Sequence, residues 1–348
     1  GRSSAASDVY KRQAPGVALT CADRMRANMA QSAGVLGADQ ERQDEVTQLA
    51  ATWPLEADDA TQHAEREKLA EAWPELSAEQ VARVHHEVRT RSVAETERAT
   101  YQAMEAFIAN LNTMNSRAGA QTPFSSINYG TDTSPEARLV MRCLLEATRA
   151  GLGNGETAIF PIQIFRVMEG VNYHPGDPNH DLFQLACRTS AERLFPNFSF
   201  QDAPFNAEYH RPGHPETEIA YMGCRTRVMS NVHDTSRAQT WGRGNLSFTS
   251  INLPRLGIQA DHDVDRFMSD FDASIDLVID QLLERFKIQA RKKVRNFPFL
   301  MGQGVWIDSA RLGPDDSVEE VLRHGTLSIG FIGLAETLTA LVLSLIQI

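Results

Sequence analysis

The chain has 348 residues, of which 45 are acidic and 34 are lysine or arginine, so its formal net charge is −11. That balance argues against a nucleic-acid partner, because no surplus of basic side chains exists to neutralise phosphates. Hydrophobic residues make up 42 % of the chain and charged residues 23 %, an ordinary globular composition that suits one large domain or two medium ones.

The cysteine content and the two chain ends bear on location. Four cysteines are too few and too scattered for a disulfide framework, and none forms a Cys-x-x-Cys pair, so a reducing, cytoplasmic compartment is predicted. Residues 1–13 lack the apolar core of a signal peptide and are predicted to be a disordered or foreign tail. The apolar residues 331–348 include Glu336, which favours a core strand and helix over a membrane span.

Residues 14–115 are predicted to form a helical segment, because they are rich in Ala, Glu, Gln and Arg and almost free of strand-like runs. Two similar pieces, 49–54 and 69–74, each place a Trp-Pro pair at the end of a short helix, since proline disfavours helical geometry in the residue before it. Ser77 is expected to cap a longer helix whose apolar residues keep helical spacing on one face. That stripe predicts packing against a core or a second subunit.

Beyond residue 115, short apolar strands alternate with helices, which is typical of an α/β sheet or barrel. The predicted strands are 124–129, 158–160, 247–253 and 327–331, and the predicted helices are 134–150, 181–194 and 263–294. Two of the predicted strands contain similar motifs: FSSIN, which ends at Asn128, and FTSIN, which ends at Asn252. Ligands in parallel α/β folds bind at the carboxyl ends of strands, so the repeated motif indicates two related half-sheets or a chance match.

Two segments are candidates for chemistry. Cys224 lies in polar, loop-like sequence, whereas Cys143 and Cys187 lie on predicted helices among apolar neighbours. Its role is therefore either chemical or structural. In the run Gly-Arg-Gly-Asn that ends at Asn245, glycine would let the backbone approach a ligand while the asparagine supplies an amide, with a plain turn as the alternative. No G-x-S-x-G elbow or phosphate-loop GK[ST] motif occurs.

Seven motifs, taken in order, carry a family resemblance. They are AQTPFSSINYG at 120–130, GETAIFP at 155–161, DPNHDLF at 177–183, MGCRT at 222–226, GRGN at 242–245, INLPR at 251–255 and HGTLSIGFIGLAE at 324–336. Together they resemble the anaerobic (class III) ribonucleoside-triphosphate reductases. The resemblance implies a glycyl-radical-enzyme α/β barrel of ten strands, in two antiparallel five-stranded halves with a finger loop, preceded by a helical segment. Residues 116–341 would form an incomplete barrel, and 342–348 match the family poorly.

The resemblance also implies a mechanism and site residues. Cys224 matches the finger-tip cysteine whose thiyl radical abstracts the 3′-hydrogen of the ribonucleotide, after which the 2′-hydroxyl leaves as water and formate or a thiol system returns the electrons. Asn245 matches the asparagine expected to hold formate or the ribose hydroxyls. The candidate contacts to ribose and triphosphate are Thr122, Ser125, Ser126, Asn128, Gly325, Thr326 and Ser328.

Cofactors and partners follow from the same resemblance. The family carries its glycyl radical and a four-cysteine zinc module near the C-terminus, so we expect this chain to be the central part of a reductase that cannot turn over alone. A radical-SAM activating enzyme, dNTP or ATP effectors and a homodimer are the expected partners, with the 79–111 helix as the predicted effector interface. The family's second active-site cysteine should precede residue 80, but the surroundings of Cys21 do not match it.

Two other functions remain open from the sequence. A pyruvate formate-lyase-like enzyme would generally have adjacent cysteines at the finger tip, and Cys224 has no cysteine neighbour. A non-catalytic, nucleotide-binding paralogue would keep the barrel without the chemistry, although the presence of Cys224 and Asn245 speaks mildly against such decay.

Overall fold

The computed structural model describes residues 3–114, 122, 124–211, 213–214, 217–222, 226–237, 239–302 and 304–342. They form two compact units: one contains the described residues of Ala6–Val228, and the other contains those of Met229–Ile348 together with residues 3–5. Helices accompany seven strands in the described residues, so the predicted α/β class is confirmed, whereas a ten-stranded barrel is not. No helix in the described ranges combines the length and the apolar character needed to cross a bilayer.

The first unit begins with four helices. They are α1 (Ser3–Val35), α2 (Gln40–Ala50), α3 (Asp59–Ala72) and α4 (Ala78–Thr113). Helix α1 runs through the segment interpreted as a tail, because extending a helix that has already formed costs little per residue. The prediction for α4 is confirmed, since Ser77 and Gln80 form a capping box at its start. Its apolar stripe is buried in the core of this unit at Val81, Val84, Val88, Met104 and Ile108.

The two Trp-Pro pairs end helices as predicted. Helix α2 ends at Ala50 and α3 ends at Ala72, each just before its Trp-Pro pair. Both tryptophans, Trp53 and Trp73, are 4 % exposed and belong to the core. The proline therefore stops the helix and leaves the preceding ring free to turn inward.

Strands and helices alternate through the rest of the first unit. In chain order they are β1 (Ser126–Tyr129), α5 (Pro135–Ala150), β2 (Ile162–Val167), α6 (His180–Arg193), β3 (Asn197–Phe200), α7 (Pro204–Ala207), β4 (Ala220–Met222) and β5 (Thr226–Val228). Strands β1, β2 and β3 form a parallel sheet in that order, and β4 pairs with β5 as an antiparallel hairpin. The strand predicted at 158–160 is wrong. Pro161 has no N–H for a sheet ladder, and the strand begins after it, at Ile162.

Gly130 closes the carboxyl end of β1 in a conformation that other residues avoid. Its φ is +130°, and a Cβ there would lie 2.5 Å from the carbonyl oxygen of Arg166. The Gly130 carbonyl accepts hydrogen bonds from the side chains of Asn172 and Asn179, at 3.0 and 3.1 Å. The turn is therefore held by the close approach of the Arg166 backbone and by the two asparagine side chains.

Gly130→Ala is expected to lower the free energy of unfolding by about 2 kcal/mol, through backbone strain and the clash with Arg166. Urea denaturation of the 348-residue chain measures it. Gly153→Ala is the matched control, because a Cβ at Gly153 meets nothing within 4 Å. Equal stability of the two variants would contradict the strained geometry.

The second unit contains a parallel strand pair covered by a long helix. Its elements are β6 (Asn245–Asn252), α8 (Leu253–Ala260), α9 (Val264–Ala290), α10 (Pro298–Gly302), α11 (Glu319–Leu322), β7 (Thr326–Ile332) and α12 (Leu334–Val342), with single turns of 3-10 helix at Val294–Asn296 and Ser309–Arg311. Strands β6 and β7 pair in parallel. Val278 and Leu282 of α9 pack with Ile251 of β6, as the predicted apolar stripe requires.

Candidate active site

Cys224 and its two neighbours lie outside the described residues, but the strands on either side are described. β4 ends at Met222 and β5 begins at Thr226, and these two residues pair directly in the hairpin. Arg227 anchors β5: its guanidinium donates to the carbonyl of Phe205 at 3.1 Å and lies 5.4 Å from the Phe205 ring centroid. In sequence, the predicted radical cysteine thus lies between two paired strands, of which β5 is anchored.

The predicted residues before and on β1 lie in the first unit. Thr122 is half-buried, and both Ser125 and Ser126 are buried. Ser125 carries a buried hydroxyl oxygen that has no hydrogen-bond partner among the described residues. Asn128 engages both ends of its amide, since Nδ2 donates to the carbonyl of Tyr221 at 2.8 Å and Oδ1 accepts from the Tyr221 N–H at 2.9 Å.

The remaining predicted residues lie together on β6 and β7 in the second unit. Asn245 pairs with Thr326 in the parallel register, beside a β-bulge between Asn245 and Ser247. Leu327 packs with the cluster on α9, and therefore Thr326 and Ser328, on either side of it, face away from that helix. Asn245 Oδ1 and Thr326 Oγ1 are buried and have no partner among the described residues. Such orphaned acceptors and donors are costly unless a ligand or water satisfies them.

Gly325 directly precedes β7 and lies close to Gly244 and Leu246. A Cβ at this position would lie 2.7 Å from Leu246 Cγ and 2.9 Å from the carbonyl oxygen of Gly244. The Thr326 N–H donates to that same carbonyl at 2.9 Å. A side chain at Gly325 would therefore displace the start of β7 and the residue pair Asn245 and Thr326.

A buried polar cluster holds the loops that lead into β6 and β7. Arg243 is 6 % exposed and donates through Nε to the carbonyl of His324 at 2.8 Å, and its Nη1 donates to the carbonyls of Ser230 and Gln239. Burial lowers the pKa of this guanidinium. No carboxylate is among these partners, so the buried charge is compensated by backbone dipoles.

Arg237 and His324 complete the cluster. The Arg237 guanidinium bonds Asp308 at 2.8 and 3.0 Å and Asp234 at 2.6 Å. Hydrogen bonds from Ser236 and then Arg237 hold the pKa of the Asp234 carboxyl at about 2. His324 Nδ1 lies 2.9 Å from Asn231 Nδ2, which identifies that ring nitrogen as the acceptor, because an amide nitrogen only donates.

One group in the described residues has the spacing of metal ligands. His233, Glu320 and His324 bring their ligand atoms within 4.8 Å of one another. However, His324 Nδ1 accepts from Asn231, and its Nε2 lies 3.4 Å from the Arg237 guanidinium. A cation beside that positive charge is disfavoured, so we assign no metal to this group.

Stability is expected to fall as the pH drops below 6.5, and His324 contributes to that fall. Burial first, and then the charge of Arg237, lower the pKa of His324 in the folded protein. The unfolded chain therefore binds the proton first, and the contribution present above pH 6.5 is lost below it. Urea denaturation at about pH 7.5 and about pH 5.5 measures how much the free energy of unfolding falls between the two. The fall should be smaller in His324→Gln than in the exposed control His63→Gln. Equal changes would contradict this contribution.

The described cysteines are all free thiols. Cys21 and Cys143 are buried, and Cys187 is exposed on α6. Burial raises the pKa of Cys21, and it raises the pKa of Cys143 to about 11. Both buried thiols are protonated members of the helical core, which gives Cys21 a packing role in α1.

Sequence reasoning missed Gln201 and Arg243. Gln201 directly follows β3, and its amide contacts the backbone of Ile219. Gln201 could have been found as Asn128 was, from an amide side chain at the carboxyl end of a strand, but β3 itself was not predicted. Arg243 lies inside the GRGN motif, yet only the fold shows that it is buried.

Comparison with known proteins identifies relatives of one kind. A family profile described as anaerobic ribonucleoside-triphosphate reductase matches residues 8–347. The chain is 32 % identical over 279 residues to the anaerobic ribonucleoside-triphosphate reductases of Salmonella typhimurium and of Escherichia coli. A crystal structure of the anaerobic ribonucleotide reductase from Thermotoga maritima, with citrate in the active site, covers 93 % of this chain and 64 % of its own, at 11 % identity and a TM-score of 0.46.

The matches with the curated relatives are partial on the relatives' side. They span 79 % of this chain but 36 % of the Salmonella and Escherichia proteins. The chain thus spans little more than a third of the length of these relatives.

Proposed function

The chain belongs to the family of anaerobic ribonucleoside-triphosphate reductases, and from that membership we propose that the full-length protein reduces ribonucleoside triphosphates to 2′-deoxyribonucleoside triphosphates. One observation supports the proposal for the residues of this chain. Ser125, Asn245 and Thr326, three of the positions predicted to contact substrate or reductant, each bear a buried polar oxygen without a partner among the described residues. Buried polar atoms of this kind need a ligand or an ordered water as a partner.

Cys224 performs the hydrogen transfer in this proposal. A glycyl radical in the full-length protein would take the hydrogen of the Cys224 S–H, so that a C–H bond forms on the glycine and the unpaired electron moves to the sulfur. The Cys224 sulfur then takes the 3′-hydrogen of the ribose, so that an S–H bond forms and the unpaired electron stays on C3′. The 2′-hydroxyl leaves as water after taking up a proton, and formate or a thiol system provides the two electrons of the reduction. Hydrogen-atom transfer needs close placement rather than a thiolate.

Asn245 is proposed to hold the ribose hydroxyls, which can donate to its Oδ1, or formate, whose oxygens can accept from its Nδ2. The hydroxyls of Thr122, Ser125, Ser126, Thr326 and Ser328, with the backbone at Gly325, are proposed to contact ribose and triphosphate. Hydroxyls and backbone N–H groups bind phosphate oxygens without a lysine. Asn128 belongs to the same predicted set, but its amide is engaged with Tyr221.

The remaining features of the proposal concern the whole protein. The strands described here would belong to a ten-stranded barrel, in a cytoplasmic homodimer that responds to dNTP or ATP effectors through α4. A radical-SAM enzyme would install the glycyl radical. The chain has no Cys-x-x-Cys pair, so its own residues do not fit a four-thiolate zinc site, and no zinc is proposed for them.

The test is anaerobic activation of the full-length gene product, followed by measurement of dNTP formed from each ribonucleoside triphosphate. Formation that depends on activation supports the proposal. Nucleotide binding without dNTP formation, in protein whose glycyl radical is detected by electron paramagnetic resonance, would overturn it in favour of a non-catalytic paralogue.

A further inference from the structure

The strand that precedes Cys224 is held by side chains as well as by its hairpin partner. Asn128 bonds both the N–H and the carbonyl of Tyr221. Gln201 does the same at Ile219, where its Oε1 accepts from the N–H at 3.0 Å and its Nε2 lies 3.5 Å from the carbonyl oxygen. Both amides are almost completely buried, at 3 % and 1 % exposure. We call these two contacts the amide clamps.

The amide clamps reproduce the pattern of a sheet ladder. A side-chain amide presents one donor and one acceptor side by side, as a neighbouring strand does to a residue's N–H and carbonyl. Ile219 and Tyr221 are two residues apart, so their polar groups lie on the same edge of the extended segment. Asn128 comes from β1, and Gln201 follows β3 and extends that strand's pairing through its N–H to the carbonyl of Val167 at 2.8 Å.

The polarity of the backbone fixes how each amide is oriented. A main-chain N–H only donates and a carbonyl only accepts, so Asn128 Oδ1 must face the Tyr221 N–H and its Nδ2 the Tyr221 carbonyl. A shift of the segment by one residue would turn these polar groups away. The Asn128 amide would lose both bonds, and the Gln201 amide would keep only the bond from its Nε2 to Ser199 Oγ at 2.9 Å. The clamps therefore select one register.

The hairpin needs this support because it is short. β4 and β5 contribute three residues each, and an isolated two-stranded hairpin is marginally stable at best. Arg227 anchors β5 against Phe205, Asn128 anchors β4 at Tyr221, and Gln201 anchors Ile219, the residue before β4. The two strands are thus tied to the first unit by separate contacts.

We propose that Asn128 and Gln201 are positioning residues, which fix the register of β4 against the β1–β2–β3 sheet and so place the chain that continues into Cys224. The catalytic part of this inference rests on the proposed function. The register part does not, because it concerns contacts that exist without substrate or radical.

The register part is tested by hydrogen–deuterium exchange in the full-length protein. In Asn128→Asp and Gln201→Glu the side chain keeps its size and its acceptor, but a carboxylate oxygen then faces a backbone carbonyl. Exchange in peptides covering Ile219 and Tyr221 is expected to rise about tenfold. Asn154→Asp and Gln184→Glu, at exposed positions of the same unit, are the matched controls. Should Asn128→Asp fail to fold, Asn128→Ser removes the bonds without adding charge.

The catalytic part is tested in the same variants after anaerobic activation. We expect kcat to fall about tenfold or more, with the KM for the ribonucleotide and the glycyl-radical content unchanged. Exchange equal to that of the controls would overturn the register part, and an unchanged kcat would overturn the catalytic part. Failure of the unsubstituted protein to form dNTP would overturn the proposed function and with it the catalytic part, while the exchange experiment would still decide the register.

Discussion

Cys224→Ser is expected to abolish dNTP formation by the activated full-length protein while leaving its glycyl radical in place. The replacement keeps the shape of the side chain but removes the sulfur that exchanges a hydrogen atom. An O–H bond is much stronger than an S–H bond, so a serine oxygen cannot take the radical from a glycine. Electron paramagnetic resonance measures the glycyl radical, and chromatography measures dNTP from the same sample.

Cys187→Ser is the matched control, because this thiol is exposed on α6 and has no proposed role. It should leave dNTP formation at the level of the unsubstituted protein. Equal dNTP formation in Cys224→Ser and Cys187→Ser would remove Cys224 from the mechanism and leave the family assignment intact.

The longer helices after α1 were predictable because their signals are local. Ser77, Ser134 and Asp263 each accept a backbone N–H at the start of a helix, as the capping pattern predicts. The long stripes of α4 and α9 follow from spacing alone. The strands were less predictable, since β3, β4 and β5 have three or four residues each, too few for an alternating pattern to emerge.

The pairing of site residues could not be predicted from local pattern. Asn245 and Thr326 meet because β6 and β7 are parallel, and parallel strands are joined by long connections that separate partners in sequence. The repeated FSSIN and FTSIN motifs do mark the ends of parallel strands, yet their asparagines differ. Asn128 clamps Tyr221, whereas Asn252 caps α8 by accepting from the Arg255 N–H at 3.1 Å.

The largest stability effect is expected from a buried ionic network between α3 and α4. Glu65, His85 and Arg89 are all less than 9 % exposed. Glu65 accepts from Arg89 at 2.9 Å and lies 2.7 Å from His85 Nε2, and Arg89 also donates to the Pro54 carbonyl at 3.1 Å. Burial, as the largest cause, lowers the pKa of His85, which keeps the imidazole neutral. Glu65 is therefore the only carboxylate among these contacts that balances the Arg89 charge.

Glu65→Gln is expected to lower the free energy of unfolding by about 4 kcal/mol, because it leaves the Arg89 charge buried without its counter-ion. Urea denaturation of the 348-residue chain, followed by circular dichroism, measures the change. Glu67→Gln is the control, since the Glu67 side chain is 65 % exposed and its ion-pair partner is the exposed His63. A loss below about 1 kcal/mol in Glu65→Gln would contradict this role.

A double replacement separates the cost of an unpaired charge from the net value of the pair. Removing Glu65 alone leaves a buried guanidinium without its counter-ion. Glu65→Leu combined with Arg89→Met removes both charges and keeps most of the side-chain volume. We expect the double variant to recover more than half of the loss seen in Glu65→Gln, because the pair itself must offset the desolvation of two ions. The network then acts mainly by requiring that α3, α4 and the Pro54 carbonyl meet in one arrangement, since any other leaves Arg89 unpaired in the core.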